Sequence, residues 1–177
     1  MFAGKTITLM AEIKRQEGAG ENVEIFTHTI DNRHLVGNIA THNGDAIEAR
    51  AFAAIEDLVA GVNDDTTVVT IDEAQFFGED LILAVKVLID KGIHVIISGL
   101  CVTFDGQPFE PIPSLMAIAD KVDKLVSRCN ICDGWAPFHQ PLEEAFLSDP
   151  MAIRSEQIGG SDIYQARCRK HFTNHPA

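Results

Sequence analysis

Three groups of residues have types and spacings suited to chemistry. The first, Gly4-Lys5-Thr6, stands at the head of a stretch with helical periodicity. There a glycine lets backbone N–H groups approach phosphate oxygens, a lysine supplies a point charge, and a threonine hydroxyl ligates Mg²⁺. A helix N-terminus adds partial positive charge. The triplet is the tail of a phosphate-binding loop; the full pattern would need a further glycine, and a strand, ahead of Met1. The reading therefore expects the first strand and the front of the loop to be missing from this chain. The alternative is an incidental triplet in a flexible terminus.

The second group is Asp72-Glu73, directly after the β-branched run Thr66–Ile71. A carboxylate at the C-terminal end of a buried parallel strand sits where open α/β sheets bind ligands. Asp72 could serve a metal ion, and Glu73 could take a proton from an attacking hydroxyl or water. A solvated acidic pair opening a turn is the bland alternative. The third group is Cys129-x2-Cys132 with Cys168-x2-His171, two ligand pairs with 35 residues between them. Three thiolates and an imidazole make a tetrahedral S₃N set for Zn²⁺, closed and hence structural. Unrelated buried cysteines and a surface histidine are the alternative, and His175 could replace His171. Cys101 stands alone as a core or site-lining thiol.

The elements that must position these residues can be read from periodicity. Ile7 to Gln16, with apolar Ile7, Leu9, Met10 and Ile13, predicts a helix ending near Gly18 and Gly20. Val23–Phe26 reads as a short strand, His34–Gly44 as a mobile loop, and Ala-rich Ile47–Val59 as a helix. Thr66–Ile71 and Ile93–Ser98 read as buried strands. Between them Asp80–Asp90 is a helix with Leu81, Val85, Leu88 and Ile89 inward, closed by Gly92. Pro113–Ala119 reads as a short helix and Lys121–Ser127 as a strand. Strands alternating with helices imply an α/β fold, a mostly parallel sheet with flanking helices. A sheet lacking its first strand would have a vacant central position and exposed edges prone to association. The pattern changes at Cys129, which places a boundary near Ser127, dividing residues 1–127 from a metal-stapled subdomain at 128–177.

The chain has 177 residues, 46% hydrophobic and 23% charged, an ordinary globular composition. Its net charge of −12 argues against a broad nucleic-acid or anionic-membrane surface. No apolar run approaches the roughly 18 residues of a membrane span, and the start lacks a signal-peptide core. Four cysteines without an export signal suggest a reducing, cytoplasmic setting.

Several segments together resemble the cytosolic, zinc-containing thymidine kinases. They are Met1-Phe2-Ala3-Gly4-Lys5-Thr6, Ile30-Asp31-Asn32-Arg33, Asp72-Glu73-Ala74-Gln75-Phe76-Phe77, Gly106-Gln107-Pro108-Phe109, Cys129-x2-Cys132, Gly159-Gly160-x3-Tyr164 and Cys168-x2-His171. The resemblance spans nearly the whole chain. It implies a P-loop-type kinase domain followed by a zinc-ribbon-like lasso over the nucleoside, in a homotetramer. It implies ATP with Mg²⁺ as co-substrate, the 5′-hydroxyl of thymidine as acceptor, and a place in pyrimidine deoxynucleoside salvage.

The resemblance also implies roles. Gly4, Lys5, Thr6, Asp72, Gln75 and Arg33 would serve ATP and Mg²⁺, and Glu73 would be the catalytic base. Met1, Phe76, Leu100, Phe104, Phe109, Gly159, Gly160 and Tyr164 would surround thymidine. Cys129, Cys132, Cys168 and His171 would hold Zn²⁺. The phenylalanines would otherwise read as core packing. The chain departs from the family at Ala3, where a serine is usual. It departs again at Cys101-Val102, where Asp-Gly is common, and at Asp105, where arginine is frequent. Two other readings remain open: an NTPase whose Glu73 activates water beside a zinc interaction module, and a non-catalytic homologue.

Overall fold

The structure, a computed structural model, describes residues 2–30, 38–40, 46–142 and 163–173. Its centre is a sheet of four parallel strands in the order β4-β1-β5-β6. These are β1 (Val23–His28), β4 (Arg50–Phe52), β5 (Val68–Asp72) and β6 (His94–Ile97). Strand β5 is buried along its whole length, because it is flanked by β1 and β6 and covered on both faces. The four strands are contiguous in hydrogen bonding. Among the described residues the sheet has two unpaired edges, along β4 and along β6; β6 is exposed at His94 and half-buried beyond it.

Helices cover both faces. Helix α1 (Lys5–Gly18) packs Leu9 and Ile13 against Val23, Ile25 and Ile96. Helices α2 (Ile55–Gly61), α3 (Asp80–Asp90) and α4 (Ile112–Ile118) lie on the other face. There Leu58, Leu81, Leu88 and Leu115 close over Phe26, Val69 and Ile71. Helix α3 has the bounds its periodicity predicts; of its expected inward residues only Ile89 turns out exposed. Ile7 is likewise exposed on α1.

Three segment readings are corrected. Ile47–Val59 is not one helix. It contains β3 (Ala46–Glu48), β4 and the start of α2, because residues 50–52 pair in parallel with the end of β1. Arg50 anchors that pairing, donating to Glu24 at 2.9 Å and to the Gly61 carbonyl at 2.7 Å, while its guanidinium lies over Phe26 and Phe52. Alanine's helix propensity amounts to tenths of a kcal/mol per residue, and tertiary pairing overrides it. Within the expected loop His34–Gly44, β2 (Asn38–Ala40) pairs antiparallel with β3. Lys121–Ser127 forms no strand before Ser127; residues 121–125 are exposed and have no strand to pair with.

Past Ser127 the chain forms two small antiparallel ladders. Strand β7 (Ser127–Arg128) pairs with β8 (Trp135–Ala136), and β9 (Phe138–Pro141) with β10 (Tyr164–Arg167). Their shared buried cluster is only Cys129, Ala136 and Ala166, with Cys168 against it. No helix among the described residues is long and apolar enough to cross a membrane.

Candidate active site and metal centre

Lys5 and Thr6 are the first two residues of α1. Gly4 precedes them at φ 78°, left-handed backbone that glycine adopts without strain. No side chain caps this helix end and its first turn holds no acidic residue, so its N–H groups and partial positive charge remain available to an anion. The Gly4 carbonyl accepts from Thr8 N at 2.9 Å.

Asp72 closes β5, and Glu73 begins the turn after it at φ 50°. A left-handed conformation in a non-glycine residue stores strain, which the surrounding bonds must hold. Three do so: Glu73 N donates to Asp72 Oδ1 at 2.9 Å, Ala74 N to the Ser98 carbonyl at 3.1 Å, and Ser98 N to the Ile71 carbonyl at 2.8 Å. A short 3-10 turn, Ala74–Phe77, follows. Asp72 is 4% exposed. Burial and the adjacent Glu73 charge push its carboxyl up to about 6, and the Lys5 charge opposes them. Lys5 and the strand-end carboxylate are thus close enough to interact electrostatically.

The buried Ser98 hydroxyl lies beside Asp72, where it favours the ionised carboxylate. A buried carboxylate at a strand end, with a threonine hydroxyl at the head of α1, is an oxygen donor set that fits a hard cation such as Mg²⁺. Thr6 and Asp72 are the side chains that would serve it.

Gln75, 3% exposed, donates from Nε2 to Glu73 Oε2 at 2.6 Å and accepts at Oε1 from Leu100 N at 3.0 Å. Phe76 is half-buried and meets Phe109 edge to face at 6.3 Å. Behind it His28, at the end of β1, contacts Phe76 and Phe77 and accepts from Ile30 N at 3.1 Å. Burial lowers the His28 pKa, against a backbone bond with Ala53. Leu100 and Phe104 are half-buried in the segment after β6, and no ring contact joins Phe104 to the Phe76–Phe109 pair among the described residues. Asp105 is bonded by the Thr103 hydroxyl, which also accepts from Gln107 N, so a local turn occupies this carboxylate. Met1, Arg33, Gly159 and Gly160 lie outside the described residues.

Tyr164 is buried on β10, its ring against His139 of β9 at 5.4 Å and 80°. His139 was not among the residues singled out from sequence. Burial, together with the Lys5 charge, drives its pKa down to about 3. The positive charge of Lys5 therefore reaches His139 electrostatically. No local signal marks it, since an isolated histidine between Phe138 and Gln140 has no ligand spacing.

The four metal-ligand candidates converge. Their ligand atoms lie within 4.8 Å of one another. Cys132 Sγ is 3.7 Å from Cys168 Sγ, and His171 Nδ1 is 3.8 Å from Cys129 Sγ and 3.3 Å from Cys168 Sγ. A tetrahedron with Zn–S near 2.3 Å has edges of about 3.8 Å, so the cage has the size of a zinc site. Tight turns present the pairs: Asp133 N donates to the Cys129 carbonyl, and His171 N to the Cys168 carbonyl. Asn130 joins the two knuckles through Ala166, giving its N–H to the carbonyl and taking the amide at Oδ1, 2.7 Å. Burial opposes ionisation of Cys129, but the backbone donors of Cys168, Ile131 and Cys132 bring its thiol down to about 5, as a thiolate ligand requires. His175 lies outside the described residues.

One comparison with known proteins bears on this arrangement: the family model for thymidine kinase matches residues 1–172. The chain belongs to the thymidine kinase family. It is therefore a kinase, and its family's reaction is the phosphorylation of thymidine with ATP as donor. The match runs through both the parallel sheet and the Cys₃His cluster, so the cluster is part of the kinase's own architecture.

Proposed function

We propose that this thymidine kinase transfers the γ-phosphoryl group of ATP to the 5′-hydroxyl of thymidine with Glu73 as general base. The observation that carries the reading is the strand-end pair Asp72-Glu73 opposite Lys5 at the open N-terminus of α1. Lys5 and the first N–H groups of α1 would bind the β- and γ-phosphates, and Gly4 lets the backbone come close. Mg²⁺, held by Thr6 and Asp72, would supply charge neutralisation on the phosphates. Glu73 takes the proton from the 5′-oxygen as that oxygen bonds to phosphorus, and the bond to the bridging oxygen of ADP breaks.

Phe76 and Phe109, with Leu100 and Phe104, offer apolar walls suited to a neutral pyrimidine. The roles of Met1, Arg33, Gly159, Gly160 and Tyr164 at the nucleoside and phosphates rest on the family resemblance. So do the homotetramer, the cytoplasmic setting, and the division into a kinase domain at 1–127 and a zinc-bearing lasso at 128–177. The free state of all four cysteines agrees with a reducing compartment.

Glu73→Gln tests the base. Turnover is expected to fall about 10²–10⁴-fold, with thymidine affinity by calorimetry nearly unchanged. Wild-type turnover in that variant would remove Glu73 from the role. ATP hydrolysis by the wild type at equal rate without nucleoside would instead make Glu73 a water activator.

A further inference from the structure

Gln75 bridges two parts of the site that are far apart in sequence. Its Oε1 accepts from the Leu100 backbone N–H at 3.0 Å, and its Nε2 donates to Glu73 Oε2 at 2.6 Å. The amide cannot be turned around. A backbone N–H only donates, so the oxygen must face Leu100 and the NH₂ must face Glu73. At 3% exposure water does not compete for either bond. The segment after β6 is also pressed against this amide. A Cβ on Gly99 would sit 3.0 Å from Gln75 Oε1 and 2.6 Å from Ile112 Cδ1, so no side chain fits between them. A second link, Ala74 N to the Ser98 carbonyl, ties the same turn to the same segment.

We infer that Gln75 is a positioning residue for the reaction. It holds the Glu73 carboxylate through Oε2 and ties its orientation to the Leu100 segment. The inference rests on the reading of Glu73 as base. The energetic reason is that a glutamate side chain has several staggered rotamers, and the Gln75 bond selects one of them. Misplacing a reacting group by about 1 Å costs on the order of a hundredfold in rate. Gln75 thus acts through Glu73 rather than on the nucleotide, and the two roles separate kinetically.

The experiment compares the full chain with Gln75→Met, Gln75→Glu and Glu73→Gln, by steady-state kinetics with thymidine and MgATP varied independently. Gln75→Met keeps the volume and loses both bonds. Gln75→Glu keeps the acceptor for Leu100 but sets a second carboxyl against Glu73, replacing a neutral donor by like charge or a shared proton, so it serves even where Gln75→Met fails to fold. The expected result is a kcat lower by about 30-fold or more in both, with both KM values within about threefold of wild type. A kcat within threefold of wild type in a folded variant would overturn the inference. A raised KM for MgATP with kcat preserved would also overturn it and give Gln75 a nucleotide contact. Full turnover in Glu73→Gln would remove the base itself; loss of turnover there with unaffected Gln75 variants would remove only the positioning role.

Discussion

His139 shows what burial does to a titratable side chain that has no ion partner to compensate it. Desolvation holds it neutral, with its pKa near 3 against an ordinary 6.5, and its ring lies edge-on to Tyr164. The folded-state pKa lies below the unfolded one. Its contribution to stability is therefore complete above about pH 6.5 and is lost as pH falls toward 3. Between pH 6.5 and 5 this group should account for about 2 kcal/mol of lost stability. Asp72 works in the opposite direction: its carboxyl is raised to about 6, so the stability it contributes falls as pH rises through that value. Urea denaturation at pH 7 and pH 5 separates the two. The wild type should lose more stability on acidification than His139→Gln by about that amount; parallel losses would mean that the imidazole is protonated in the folded protein.

At the scale of elements, the site is an assembly of strand ends. Strands β1, β5 and β6 deliver His28, Asp72 and the Ser98–Leu100 segment to one edge, because parallel strands align all their C-termini. The tightest joint is Gly99, where Ile112 of α4 and Gln75 of the turn meet the backbone. Gly99→Ala should cost about 1–3 kcal/mol in denaturant midpoint stability through overpacking, and should lower kcat by disturbing the Gln75 bridge. An unchanged midpoint would mean that α4 yields freely. Element legibility followed how local the cause was. The bounds of α3 were readable because its apolar residues recur at helical spacing and Gly92 stops it. Residues 47–59 misled, because their strand exists only by pairing with β1. Lys121–Ser127 misled too: apolar alternation makes no strand where no neighbour supplies a ladder.

For the molecule as a whole, the second ladder system has too little apolar core to hold itself. A clustered apolar core of Cys129, Ala136 and Ala166 with Cys168 against it is too small to offset the entropy of ordering this backbone, so the Cys₃His cage must supply the difference. Metal analysis should find about one Zn²⁺ per chain. Chelation, or Cys168→Ser, should abolish amide protection in residues 127–142 and 163–173 while β1, β5 and β6 keep theirs. Hydrogen exchange reads both regions in one sample, and a folded, metal-free ladder would refute the staple. On the family-based reading of Tyr164 at the nucleoside, loss of the ladder should also cost activity, because Tyr164 and His139 are carried on it.

What the residues determined on their own were the short-range features. The triplet at the head of α1, the carboxylates at the end of a β-branched run and the two ligand pairs could be read because each depends on neighbours a few residues away. The convergence of the ligand pairs also followed, since two paired knuckles with metal chemistry have few other uses. Tertiary structure decided the long-range joints. The Gln75 amide reaches Leu100 across 25 residues, His139 meets Tyr164 only through strand pairing, and β4 joins the sheet only by pairing with β1. Such contacts depend on the path of the whole backbone, which no local spacing encodes, and on burial, which gives each bond its strength only after the chain has closed around it.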